Sequence, residues 1–210
     1  MSQRASTAFL LGCITLALQG CATLSKEECL YADWYQIGLE DGNKGKDPLT
    51  LGRHRKACAK AGVTPDREAY EQGHTQGLLR YCTYDNGLLL GNVGRSRPEY
   101  CPALTLAEFN LGYEHGYERY QQNRVIHQLQ SEINSLNHSI EDNHHQIEHL
   151  EAVLVSDQTT GEEREEALEE LRAIEDENVE LINAVSDIRE SLLSEQRFLD
   201  ELIYEQQSAR

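Results

Sequence analysis

Apolar residues in the C-terminal half of the chain recur at alternating steps of three and four. In the first run these positions are Ile126, Leu129, Ile133, Leu136, Ile140, Asn143, Ile147, Leu150 and Leu154. In the second run they are Leu171, Ile174, Asn178, Leu181, Val185, Ile188, Leu192, Glu195, Leu199 and Leu202. This spacing is typical of helices that pack as coiled coils. The pattern predicts two long helices joined by a turn at residues 156–161.

The two runs match each other when the second helix folds back on the first. Ile147 then lies opposite Ile174, and Asn143, the asparagine of the first run, lies opposite Asn178 of the second. A buried asparagine pair fixes the register of a coiled coil at some cost in stability. The sequence therefore predicts an antiparallel hairpin within one chain, with a coiled coil between chains as the alternative.

Residues 29–120 follow a different pattern, aromatic-x-x-Gly-x-x-x-Gly. Its four copies are Tyr35-Gly38-Gly42, Tyr70-Gly73-Gly77, Tyr84-Gly87-Gly91 and Phe109-Gly112-Gly116. On a helix, the ring and both glycines of each copy share one face. Glycine lowers helix propensity by about 1 kcal/mol, so a compensating interaction is required. We expect close approach of helix backbones at these glycines.

The local signals in this segment suggest where its helices begin and end. We predict helices over residues 27–42 and 66–81, and a long helix that begins with a capping box, Thr105-x-x-Glu108. The copy at Tyr84 contains the turn signal Asp85-Asn86-Gly87, so it is predicted to be a loop, and so is segment 43–56.

At the C-terminal end of the chain, Phe198, Ile203 and Tyr204 lie off the apolar seam. They are expected to pack on the Gly/Tyr-rich segment.

The N-terminus has the features of an export signal. Arg4 precedes a short apolar run that ends in Leu18-Gln19-Gly20-Cys21, which resembles a bacterial lipobox. That resemblance implies a signal peptide at residues 1–20, acylation of Cys21 with palmitate-type chains, and a short tether at 21–28. Ala22 implies sorting to the periplasmic face of the outer membrane. An ordinary secretory signal is the alternative.

Four cysteines remain after the signal and the lipid-bearing residue: Cys29, Cys58, Cys82 and Cys101. An even number in an oxidising compartment predicts two disulfides, and three pairings are possible. We favour the sequential pairing, because each bridge then closes a loop of roughly 20–30 residues and contributes about 3 kcal/mol. Zinc is the rival use of four cysteines, but no CxxC spacing is present.

The net charge of −17 is concentrated at the C-terminus. Residues 22–124 hold 13 Lys/Arg and 14 Asp/Glu, whereas residues 125–210 hold 5 and 22. Such a tail argues against nucleic acid and anionic membrane surfaces as its partners.

A stripe of His138, His145 and His149 with Asp142 is interpreted as a solvated face. A surface metal site is the less favoured alternative, and no cofactor is expected.

Several motifs in order suggest a known family. They are Trp34-Tyr35-x-x-Gly38-x-x-Asp41-Gly42, Arg53-x-Arg55 before Cys58, Tyr70-x-x-Gly73-x-x-x-Gly77, and the Cys82–Cys101 segment. Together they resemble a proteobacterial lipoprotein family known as domain of unknown function 2799, over about residues 29–120. The resemblance implies an envelope location and a small cysteine-tied domain. The family has no established activity, so it supplies no catalytic residues.

A ligand groove is the one candidate binding site in this segment. Its residues are Trp34, Tyr35, Asp41, Arg53, Arg55 and Tyr70, joined by Tyr113 and Tyr117. Aromatic rings stack on sugars, and arginine binds carboxylates. The favoured alternative is that Trp34 and the tyrosines form the core. No nucleophile–base or paired-carboxylate arrangement stands out, so we expect the protein to have no enzymatic activity.

The sequence thus predicts an all-α protein with two structural parts. A small disulfide-tied Gly/Tyr-rich helical domain occupies residues 29–120, and a long antiparallel coiled-coil hairpin occupies 121–210. The expected role is a lipid-anchored scaffold or accessory subunit that meets an envelope protein partner through the hairpin. A module that binds peptidoglycan or another glycan is the alternative.

Overall fold

The computed structural model describes residues 24–209, which form helices and connecting loops without any strand. The all-α prediction is confirmed. The predicted signal peptide and Cys21 lie outside the described residues. The chain divides between Arg80 and Tyr81 into two compact units. This division falls inside the segment that was predicted to be one domain.

The first unit contains four α-helices and one 3-10 turn. The helices are α1 (Lys26–Leu30), α2 (Trp34–Asn43), α3 (Thr50–Cys58) and α4 (Arg67–Tyr81), with the 3-10 turn at Ala59–Ala61. The Cys29–Cys58 disulfide joins α1 to α3. It confirms the first half of the predicted pairing.

Two boundaries in the first unit differ from the predictions. Residues 27–42 are two helices, because the Asp33 side chain accepts a hydrogen bond from the Gln36 amide and begins α2 anew. Of segment 43–56, only residues 44–49 form a loop. Asp47 accepts from the Leu49 amide at 2.7 Å, and α3 starts directly afterwards despite the glycine inside it.

The glycines of α2 and α4 face each other's main chain. A Cβ at Gly38, Gly42, Gly73 or Gly77 would lie less than 3.0 Å from main-chain atoms of the opposite helix. Gly38 meets the carbonyl of Tyr70, and reciprocally Gly73 meets the carbonyl of Tyr35. The predicted close approach is confirmed, and we call such an arrangement a glycine crossing.

The second unit repeats this arrangement. It contains α5 (Tyr84–Asn92), α6 (Ala103–Val155) and α7 (Gly161–Ser208), and the Cys82–Cys101 disulfide precedes α6. The glycines of its crossing are Gly87 and Gly91 of α5 and Gly112 and Gly116 of α6. Each unit therefore has one disulfide and one glycine crossing.

The prediction of a loop at Tyr84 was wrong. The Thr83 side chain accepts from the Asn86 amide, and the Asn86 side chain donates to the Tyr81 carbonyl at 2.8 Å. These contacts cap α5, so the Asp-Asn-Gly sequence forms the first turn of a helix.

The start of α6 also differs from the prediction. Pro102 precedes the helix, and the Thr105 hydroxyl donates to the Pro102 carbonyl instead of forming a capping box.

The long helices α6 and α7 form the predicted antiparallel hairpin. Asn143 Nδ2 donates to Asn178 Oδ1 at 3.0 Å, and both residues are buried. The capping box of Thr160 and Glu163 begins α7 after the turn, as predicted. The seam buries apolar side chains of both helices, including Ile126, Ile133, Leu150, Ile174 and Val185. The intramolecular register is thereby confirmed.

The end of α7 packs differently from the prediction. Phe198 and Tyr204 are 54% and 71% exposed, Ile203 is half-buried, and the buried residue is Gln206. Arg119 Nε donates to Gln206 Oε1 at 2.6 Å, and Gln206 Nε2 donates to the Glu118 carboxylate at 2.9 Å. A polar side chain closes this end because the facing positions of α6 are charged.

Over residues 24–209, no helix combines the length and apolar composition that a membrane span needs.

Candidate functional site

A buried carboxylate lies at the centre of the first unit. Asp41, in the last turn of α2, is 4% exposed. Its Oδ2 lies 2.7 Å from His54 Nε2 and accepts from the Tyr70 hydroxyl at 2.9 Å. Its Oδ1 accepts from Lys46 Nζ at 2.7 Å. Since a carboxylate can only accept, Nε2 carries the proton of the His54 contact. One side chain thus connects α2 with the following loop, α3 and α4.

The charge state of this network follows from its contacts. Burial opposes ionisation of Asp41, but the hydrogen bonds from His54, Lys46 and Tyr70 outweigh it and hold the pKa of this carboxyl well below its usual range. Burial, together with the hydrogen bond to Asp41, raises the pKa of the Tyr70 hydroxyl above its ordinary value of 10.0. At neutral pH the centre is therefore a carboxylate held by a neutral phenol.

Aromatic rings surround the carboxylate. The His54 ring centroid lies 6.5 Å from that of Trp34 and 5.9 Å from that of Tyr70. Tyr70 also stacks on His74, whose Nε2 lies 2.8 Å from the Lys46 carbonyl oxygen. Within the described part of the chain, His54 Nδ1 is buried without a hydrogen-bond partner. The rings and the carboxylate together fix the loop before α3 against the glycine crossing.

The six residues of the predicted groove that belong to the first unit do not share one surface. Trp34, Asp41 and Tyr70 are buried, in keeping with the favoured core interpretation of the two rings. Tyr35 is 40% exposed and lines a shallow cleft of about 590 Å³ along α4. Arg53 donates to the buried Thr50 side chain.

The remaining one of these six residues, Arg55, lies in a separate cleft. This cleft has a volume of about 530 Å³ and is lined by Leu49, Arg55, Pro65 and Arg67, among others. The predicted site is therefore divided between a core and two shallow surfaces.

Sequence reasoning missed the histidines and the lysine of the network. His74 lies four residues after Tyr70 on the same face of α4, which is the one local signal that links it to the site. His54 and Lys46 belong to the segment that was predicted to be a loop. That segment has no periodic apolar pattern that would mark either residue as part of the core.

A row of stacked tyrosines lies on α6 in the second unit. The ring centroids of Tyr113 and Tyr117 are 6.0 Å apart, as are those of Tyr117 and Tyr120. Arg97 lies over the Tyr113 ring at 5.8 Å, and Arg124 lies over the Tyr120 ring at 6.0 Å. We call these three tyrosines and two arginines the tyrosine ladder. It joins two residues of the predicted groove, Tyr113 and Tyr117, on one helix face.

An open cleft of about 500 Å³ adjoins the ladder. Its lining consists of Arg97, Glu99, Tyr113, Glu114, Tyr117 and Glu118. Tyr117 is 39% exposed, and Arg97 forms an ion pair with Glu114 at 3.6 Å. An exposed ring beside carboxylates and a guanidinium suits a ligand with an apolar face and several hydroxyl or amide groups.

The candidate metal ligands named from the sequence are the four cysteines and the histidine stripe of α6. The four cysteines are joined in disulfides, which removes them as zinc ligands. Among residues 24–209, no three His, Cys, Asp or Glu side chains are arranged to hold a metal ion. His138 lies 3.8 Å from Asp142, and His145 lies 3.7 Å from Glu148, both on the solvent-facing side of α6.

Comparison with known proteins finds one family model that matches part of the chain. Residues 33–129 match the model of a family described as protein of unknown function (DUF2799). The resemblance stated from the sequence motifs is confirmed. The match includes both glycine crossings and extends into the hairpin. Neither the curated proteins nor the solved structures yielded a match.

Proposed function

We propose that this chain, with its DUF2799 segment at residues 33–129, is a non-catalytic scaffold or accessory subunit of the bacterial cell envelope. In this proposal the lipidated Cys21 anchors it to the periplasmic face of the outer membrane. The carrying observation is that α6 is one helix of 53 residues, shared by the α5–α6 crossing and the hairpin. Such a helix is about 80 Å long.

Two further features support a structural role. The disulfides are suited to the oxidising periplasm, where they would persist. The buried Asp41 carboxylate directs both oxygens at neighbouring side chains, so its hydrogen bonds hold helices together. Both features favour a structural role for the units that contain them over the transformation of a substrate.

The anchor is tested by exchanging its cysteine. We expect Cys21→Ala to abolish incorporation of an alkyne-tagged palmitate analogue in growing cells and to release the chain from the membrane fraction. Cys13→Ala is the matched control, because this cysteine belongs to the proposed signal peptide, and it should incorporate as much label as the unaltered chain. Persistent labelling of Cys21→Ala would contradict the anchor.

The scaffold role is tested by photocrosslinking in intact cells. A photoreactive amino acid is placed at exposed positions of both hairpin helices, α6 and α7, and adducts are identified by mass spectrometry. A discrete adduct with one envelope protein supports the proposal. If no exposed position of either hairpin helix yields a discrete adduct, the scaffold role is contradicted.

The tyrosine ladder favours a second candidate, binding of peptidoglycan or another glycan. We expect purified sacculi to retain the chain, and Tyr117→Ala to weaken retention about fivefold, since loss of one ring contact costs about 1 kcal/mol. Tyr204→Ala is the control, because this ring is 71% exposed and lies on α7. The affinity is measured by co-sedimentation. Equal effects of the two substitutions would argue against the ladder.

A further inference from the structure

The helix α3 presents a basic face to solvent. Its buried residues Thr50, His54 and Cys58 recur every four positions, so they define the inner face of the helix. Four exposed cations lie on the other sides of α3 and on the 3-10 turn that follows it: Arg53, Arg55, Lys56 and Lys60. We call these four residues the α3 basic face.

No carboxylate neutralises this face locally. Residues 48–65 contain no Asp or Glu. Among the residues that the structure describes, none of the four cations forms an ion pair with a carboxylate. Asp47 and Asp66 border the segment, and each accepts a hydrogen bond from a main-chain amide. Residues 24–80 hold 9 Lys/Arg and 9 Asp/Glu, so a unit without net charge concentrates its cations on one helix.

An apolar cleft adjoins the basic face at Arg55. The cleft has a volume of about 530 Å³, and its lining includes four apolar residues: Pro48, Leu49, Leu51 and Pro65. Two further charged residues of the lining, Arg67 and Glu71, form an ion pair with each other. Leu49 is 75% exposed. Cations beside an exposed apolar side chain suit the boundary between phospholipid headgroups and acyl chains. A small free anion would use the charges alone and leave Leu49 in water.

The basic face belongs to the unit that follows the proposed lipid anchor. Cys21 precedes the first residue of α1, Lys26, by five positions, which span at most about 18 Å when fully extended. The Cys29–Cys58 disulfide then ties α1 to the end of α3. An acylated Cys21 would therefore hold this unit near the bilayer and raise the effective concentration of headgroups around it. The acidic residues 125–210 belong to the second unit.

We propose that the α3 basic face binds the anionic phospholipid headgroups of the membrane, with Leu49 inserted among them. The inference rests on the proposed lipid anchor and adds an orientation of the first unit to it. Each Lys or Arg near an anionic membrane surface strengthens binding about fivefold. Four such residues on one helix therefore hold that side of the unit against the bilayer.

The test attaches the chain from Cys21 onwards to lipid vesicles. Its Cys21 thiol is coupled to a maleimide lipid, since the other four cysteines of this chain are joined in disulfides. The vesicles consist of phosphatidylcholine alone or of an equal mixture with phosphatidylglycerol. Brief acetylation with an uncharged reagent, followed by mass spectrometry, measures the accessibility of each lysine. All five lysines of the chain lie in the first unit: Lys26, Lys44, Lys46, Lys56 and Lys60.

The basic face should be protected only on the anionic vesicles. We expect Lys56 and Lys60 to be acetylated about fivefold more slowly there than on phosphatidylcholine. Lys44, which pairs with Glu40 at the surface, should keep its rate. NaCl at about 1 M should remove the protection, because it shortens the Debye length to about 3 Å.

Two double variants retain Lys60 as the reporter. Arg55→Gln/Lys56→Gln removes two cations of the face and should return the acetylation of Lys60 to its rate on phosphatidylcholine. Lys44→Gln/Arg80→Gln is the matched control, because it removes the same charge from exposed residues at the ends of α2 and α4. In this control Lys60 should stay protected. Circular dichroism verifies that both variants keep the helical content of the parent.

Several results would overturn the proposal. They are equal acetylation of Lys60 on both kinds of vesicle, equal slowing of Lys44 and Lys60, and protection that survives in Arg55→Gln/Lys56→Gln. Protection of Lys60 without vesicles, growing with protein concentration, would assign the face to the acidic hairpin of a second copy instead.

The chemical coupling separates this inference from the proposed anchor. It does not depend on acylation in cells, so persistent palmitate labelling of Cys21→Ala would contradict the anchor and leave the measured contact of α3 intact. Loss of the contact with normal labelling would overturn the orientation alone.

Discussion

Gly73→Ala should destabilise the first unit by about 3 kcal/mol, as expected for overpacking at a site that cannot yield. A Cβ at Gly73 would lie less than 3.0 Å from main-chain atoms at Tyr35 and Leu39. Main chain cannot rotate away as a side chain can, so α2 and α4 must separate. The loss exceeds the gain of about 1 kcal/mol in helix propensity. Urea unfolding under oxidising conditions measures the difference.

Gly52→Ala is the matched control for this prediction. Gly52 is also helical, in α3, but a Cβ there would meet nothing within 4 Å. Alanine at this position should therefore stabilise the protein by up to about 1 kcal/mol through helix propensity alone. If both substitutions had the same sign, the crossing would not depend on bare backbone contact.

Asp41→Asn is the second substitution with a large expected effect. The amide keeps the shape of the side chain but removes the charge that His54, Lys46 and Tyr70 surround. Breaking a buried charged network typically costs about 3 kcal/mol. Glu40→Gln is the control, because its contact with Lys44 lies at the surface at 3.7 Å and contributes less than about 1 kcal/mol. Chemical denaturation of both variants at pH 7 gives the comparison.

The same carboxylate predicts how stability depends on pH. The pKa of Asp41 is lowered in the folded state, so its contribution is present above its unfolded pKa of 3.8 and is lost as pH falls further. The pKa of Tyr70 is raised, so stability also declines when pH rises above 10.0 and the unfolded chain loses the phenol proton. Asp41→Asn should flatten the acid limb, and an acid limb of unchanged slope would contradict the assignment.

The hairpin was predictable from sequence because its information is periodic. Seam residues recur over many turns, and the match of Asn143 with Asn178 selects one register. The sequential disulfides were predictable for a related reason, since both close short loops. For both the hairpin and the disulfides, the spacing of residues along the sequence indicates which residues come into contact.

The remaining fold was harder to predict because its signals are ambiguous or distant. Asp85-Asn86-Gly87 marks a turn in most contexts, but after Thr83 it forms the first turn of α5. The glycine copies predicted close approach but did not reveal that they pair as two successive crossings. The Asp41 network joins residues 13 and 29 positions apart, and no periodic pattern relates residues across such intervals.

The continuity of α6 makes the hairpin a lever. From Gly116 to the end of α6 at Val155 the helix extends about 60 Å, so a rotation of about 5° at the α5–α6 crossing displaces the far turn by about 5 Å. The Asn143–Asn178 hydrogen bond resists sliding of α7 along α6, so the two helices swing together. Force applied at the turn is thereby delivered to the α5–α6 crossing, where main-chain atoms of the two helices lie in contact at the glycines.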